Sequence, residues 1–247
     1  MLAEIFQSIQ TAISEASAMT GWEAIAVILA IAYLVLAMRT NIWCWAAAFV
    51  STAIYTVLFW KVSLLMESVL NVYYMAMAVY GFWLWRYGPA SINGSASVNS
   101  PESVSGSASI NGAGNEKETG NVKTAELPII SWSLNKHLII IAVTTAISLL
   151  VGYFMSTKTS ASFPYLDALT TCFAVMTTYL VAKKVIENWY YWMVINSLSI
   201  YLYLQKGLML TSGLLILYLF MAVSGYFMWR KKMQQDNLNE GLSLAKQ

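Results

Sequence analysis

The chain has 247 residues, 58% hydrophobic and 11% charged, with a formal net charge of +2 and a mean hydropathy of +0.59. Soluble domains carry about a quarter charged residues, so this composition excludes a large soluble core and indicates a polytopic membrane protein. The small positive charge gives no case for nucleic acid, which leaves the lipid bilayer and a small molecule as the expected partners.

Residues 1–19 form an N-terminal surface segment. It carries Glu4 and Glu15 where a signal peptide would be basic. Ile5, Ile9 and Ile13 recur at steps of four, which suits an amphipathic helix on the membrane surface, with a disordered tail as the alternative. Three apolar runs follow, about 22–38, 42–60 and 65–85. Each is close to the roughly 20 residues a helix needs to cross the hydrocarbon core. Backbone in lipid must satisfy its own hydrogen bonds, so these runs are predicted to be helices.

Residues 88–135 are read as a disordered loop, most clearly the Ser-, Gly- and Asn-rich stretch 88–126. A linking span at 137–156, within a 136–158 segment, precedes three more runs at 164–182, 188–205 and 208–229, and a tail at 233–247. Cys44 and Cys172 fall inside apolar runs and read as packing residues, not as a disulfide.

Seven spans put the termini on opposite sides. The N-terminal side holds Lys61, Lys158 and Lys206; the other eleven Lys and Arg lie on the C-terminal side. The positive-inside rule therefore places the C-terminus in the cytoplasm and the N-terminus outside.

The chain repeats itself. "YMAMAVYGFWLWR" at 74–86 matches "YLFMAVSGYFMWR" at 218–230 in seven of thirteen positions, at an offset of 144. Upstream, "YLV" at 33–35 recurs at 179–181, which pairs Trp43 with Trp189 and Tyr55 with Tyr201 at an offset of 146, two residues being lost between. The predicted fold class is an all-α polytopic membrane protein. Its seven transmembrane helices form two parallel three-helix repeats, 20–87 and 159–232, joined by a linking helix (3+1+3). Parallel repeats are a transporter architecture with substrate held near the midplane.

The two halves differ where a site would be built. In span six, Trp189, Trp192, Asn196 and Ser199 form one helical stripe. On the 146 offset their partners are Trp43, Ala46, Val50 and Ala53. In span three, Glu67, Asn71 and Tyr74 share a face. A pocket between spans three and six would gather both sets; Tyr201 is a further candidate, with a structural role shared with Tyr55 as the competing reading. Plain structural roles compete: Trp189 as an interfacial anchor, Asn196 as interhelical glue, Glu67 as a carboxylate reaching water. Aromatic faces attract flat and cationic groups, and Asn donates and accepts. No Lys or Arg lies within a span, so a phosphorylated molecule should be refused. No metal-ligand cluster, phosphate-binding glycine loop, mid-span lysine or Ser–His pair appears, so no cofactor, no metal and no enzymatic role is expected. His137 sits at the membrane edge. A homo-oligomer is compatible with the sequence and not specified by it.

The stripe "WYYWMVINSLSIY" and the "ESVLNVYYMAMAVYGFWLW" of span three resemble the PnuC transporters of bacterial nicotinamide riboside uptake. The 3+1+3 plan is also similar to full-length SWEET sugar transporters. The resemblance covers about 20–88 and 137–232. It implies facilitated diffusion of nicotinamide riboside across the bacterial inner membrane, without an ion gradient and with a cytoplasmic kinase trapping the product. Carriers of another vitamin precursor such as thiamine, or of a sugar, are the alternatives on the same fold.

Overall fold

The structure, a computed structural model, describes residues 7, 10, 21–61, 65–96, 126–159, 163–205 and 209–244. The surface segment 1–19, apart from two positions, and residues 97–125 of the long loop lie outside the described residues.

Among the described residues seven helices run in chain order: α1 Gly21–Met38, α2 Cys44–Lys61, α3 Leu65–Ala96, α4 Leu134–Lys158, α5 Pro164–Ala182, α6 Asn188–Gln205 and α7 Met209–Leu244. Pro164 opens α5, where its missing N–H costs nothing. By length and composition α1, α4, α5 and α7 could each cross a membrane, and α2 has a shorter apolar stretch at Cys44–Leu58. The stretches of α3 and α6 are less apolar on average because Tyr, Trp and Asn replace aliphatic residues there.

The helices form a ring. Neighbours are α1–α2, α2–α3, α3–α5, α5–α6, α6–α7 and α7–α1, while α4 packs along α5. The α3–α5 and α7–α1 contacts are equivalent under the repeat. α4 acts as the linker that restores the direction of the second unit.

The turns between α1 and α2 and between α5 and α6 superpose bond for bond. Thr40 and Lys184 both take positive φ, 52° and 51°, the left-handed conformation that ends many helices. Their N–H groups donate to Ala37 O and Val181 O, both at 3.0 Å. The next N–H groups, of Asn41 and Val185, reach Leu36 O and Leu180 O at 2.9 and 3.0 Å. Every pair differs by 144 positions. The expected slip to 146 is therefore corrected: one offset holds across both units, and "YLV" is a coincidental match in apolar sequence. Trp189 corresponds to Trp45, not Trp43, and Tyr201 to Val57, not Tyr55.

Four tryptophans close the core at this end. Trp45 meets Trp85 edge-on, with centroids 5.4 Å apart, and Trp189 meets Trp229 in the same way, also at 5.4 Å. Trp85 and Trp229 join the pairs at 6.5 Å. Each of these two ties its unit to the other: Trp85 Nε1–H donates to Ala182 O at 3.0 Å, and Trp229 Nε1–H to Ala37 O at 2.9 Å. Gly81 and Gly225 make room for the layer, since a Cβ at either would overlap the Trp45 or Trp189 ring.

The reading of 88–135 as a disordered loop fails at its two ends. Helix α3 continues to Ala96. Residues 126–133 form an extended strap, because Leu127, Ile129, Ile130 and Trp132 supply the apolar surface that the preceding stretch lacks. Leu127 and Ile129 join the core. Ile130 pairs with the α5–α6 turn, donating to Lys184 O at 3.0 Å and accepting from Ile186 N–H at 2.9 Å. Ser131 Oγ and the Trp132 N–H hydrogen-bond Glu187. His137 is buried rather than edge-exposed, with Nδ1 2.9 Å from Tyr191 Oη.

Candidate functional site

A cavity of about 130 Å³ lies directly against the indole layer, among α1, α6 and α7. Helix α6 contributes Trp189, Trp192 and Asn196, which fall at i, i+3 and i+7 and so face one way. Helix α1 adds Ala30, Tyr33 and Leu34, and α7 adds Tyr218 and Ala222. No lining residue is charged. The walls are thus aromatic faces, aliphatic groups and one amide.

Trp189 belongs to both the layer and the cavity. It is 2% exposed, and among the described residues its Nε1–H has no acceptor. A buried donor left unpaired costs about 1–3 kcal/mol. Trp45, its repeat equivalent, has the same unpaired donor. Asn196 is 5% exposed and borders the cavity.

The other expected residues are placed differently. Ser199 is buried on α6 but does not line the cavity. Tyr201 is 54% exposed and points away from the core. Asn71 is buried and Tyr74 half-buried on α3, and neither of these two lines the cavity, although Tyr74 stands near the lining residue Tyr33. The side chain of Glu67 lies outside the described residues. The cavity gathers the α6 stripe with α1 and α7 instead of with α3, and α3 and α6 are not in contact among the described residues. Tyr33 and Tyr218 take the places expected of α3 residues. Tyr218 is the repeat partner of Tyr74, so the sequence does mark it; Tyr33 carries no such signal. No group of three or more His, Cys, Asp or Glu among the described residues could hold a metal.

The nicotinamide riboside transporters PnuC of Escherichia coli (strain K12) and of Shigella flexneri are each 29% identical over 68 residues, 28% of this chain and 28% of theirs. The aligned part is thus well under a third of those relatives. A crystal structure of the vitamin B3 transporter PnuC shares the fold, with a TM-score of 0.61 over 94% of this chain and 89% of that one, at 18% identity. The family described as nicotinamide mononucleotide transporter matches residues 20–231, a range that takes in both three-helix units and the linking helix, and the chain belongs to that family.

Proposed function

We propose that this protein carries nicotinamide riboside across the bacterial inner membrane by facilitated diffusion, through alternating access to the cavity among α1, α6 and α7. The observation that supports this most is the uncharged Trp189–Trp192–Asn196 wall beside a sealed indole layer. The riboside has a cationic pyridinium, an amide and ribose hydroxyls. Trp192 and Tyr33 suit the ring, and Asn196 suits the amide or a hydroxyl. The unpaired Trp189 Nε1–H is a further donor. The mononucleotide would bring its phosphate to a wall without a cation and be refused.

Small-molecule sites usually measure about 300–1,000 Å³. A cavity of about 130 Å³ is then a contracted form of the site, closed at the indole layer. Rocking of the two units against each other would widen it. The positive-inside rule puts the N-terminus in the periplasm and the indole layer on the cytoplasmic side. Flux of labelled nicotinamide riboside into liposomes holding the purified protein tests the reading. Uptake that thiamine and a hexose fail to inhibit is the expected result. Inhibition by either compound, without riboside uptake, would keep the fold and discard the substrate.

A further inference from the structure

A second cavity, of about 410 Å³, opens beyond the indole layer at the end that carries the α1–α2 and α5–α6 turns. Its chemistry is opposite to that of the first. Arg39, Arg86, Lys184 and Lys232 line it, from four different segments of the chain, against one lining carboxylate, Glu126. Glu126 is already bound by Lys232 at 2.8 Å, and Lys232 also donates to Thr40 Oγ1 at 2.7 Å.

Topology alone accounts for exposed cations at this end, but not for Lys184. That residue is 2% exposed. Its Nζ donates to Leu127 O at 2.9 Å and stands 4.5 Å from the centroid of the Trp85 ring. Among the described residues it makes no ion pair. Burying an ammonium without a carboxylate is costly, and burial, followed by the nearby Lys232, holds its pKa down at about 8. One N–H goes to Leu127, and an ammonium has three. Beside these groups the exposed Trp43 ring offers a flat surface. The volume falls within the usual small-molecule range.

We propose that this vestibule is an anion site for a phosphate group, carried by a phosphate monoester of about mononucleotide size or by a phospholipid headgroup. Lys184 is its inner contact, and Arg39, Arg86 and Lys232 are its outer ones. The indole layer separates this site from the uncharged cavity, so a phosphate held here is an effector or a lipid and not cargo. The proposal stands on the charge distribution alone and does not depend on what the first cavity binds.

The test is calorimetric titration of the full chain, in phosphatidylcholine nanodiscs, with nicotinamide mononucleotide and with inorganic phosphate. Saturable, mutually competitive binding is expected, weakening as salt rises. Lys184→Met should reduce affinity at least tenfold, and Trp192→Ala should leave it within twofold. The exposed pair Arg39→Gln with Arg86→Gln serves as a second reading if Lys184→Met fails to fold. Retention of phosphatidylglycerol by native mass spectrometry, lost in Lys184→Met, would support the site with lipid as the phosphate source. Absence of both soluble and lipid binding overturns the proposal, as does binding that follows Trp192 instead of Lys184.

Discussion

Trp192 and Asn196 stand one and two turns along α6 from Trp189, and both border the uncharged cavity. On the proposed function, Trp192→Ala and Asn196→Ala each weaken riboside binding by about 1–3 kcal/mol, through a lost stacking or hydrogen-bonding contact. Tyr201→Ala, at an outward-facing position, changes it by less than about 0.5 kcal/mol. Calorimetry on folded variants checks this, and equal losses at Tyr201 and Trp192 would remove the cavity as the site. Lys184 permits a second prediction. Its pKa falls from 10.5 to about 8 on folding, so the unfolded chain binds the extra proton between those values. Stability contributed by this group therefore rises from about pH 8 to pH 10.5 as the buried ammonium is discharged. Glu126, Asp236 and Cys44 face it and oppose the shift, while Lys232 adds to it. The swing is on the order of 3 kcal/mol for the unscreened group. Thermal unfolding in detergent should show the rise in the wild type and a flatter profile in Lys184→Met.

Helix packing at the indole layer depends on two glycines, and the repeat makes the dependence symmetrical. A methyl group at Gly225 would overlap the Trp189 ring, while a methyl at Gly213 on the same helix meets open space. Gly225→Ala is expected to destabilise by about 1–3 kcal/mol through overpacking. Gly213→Ala should be neutral or slightly stabilising, since alanine is the better helix former. Unfolding midpoints of the two variants in one detergent provide the comparison, and similar midpoints would mean that the layer yields. The same contact shows what could be read from sequence at this scale. The Gly–Trp–Arg signature at 81–86 and 225–230 was legible because it recurs at a constant offset. The indoles facing the glycines were not, because "WCW" at 43–45 offers two tryptophans and only helix phase selects Trp45.

Across the whole molecule, the 3+1+3 plan was legible because span lengths and end motifs are local properties of the chain. The ring order was not. Which helices adjoin is decided by packing between the units, so a stripe on α6 could be recognised while its facing helices could not. The strap at 126–133 was hidden for another reason: its short apolar run adjoins a long polar stretch, and averaging over both conceals it. The ring also bears on mechanism. Its two inter-unit seams, α1–α7 and α3–α5, are equivalent under the repeat. The cavity sits at the α1–α7 seam. On the proposed function the carrier returns empty or loaded, and the loaded return is the faster when the ligand stabilises the occluded transition state more than the open states. Unlabelled riboside trapped inside liposomes should therefore accelerate entry of labelled riboside, without any imposed proton or sodium gradient. Entry that is indifferent to internal riboside, and proportional to external concentration without saturation, would point to an open pore and remove alternating access from the account.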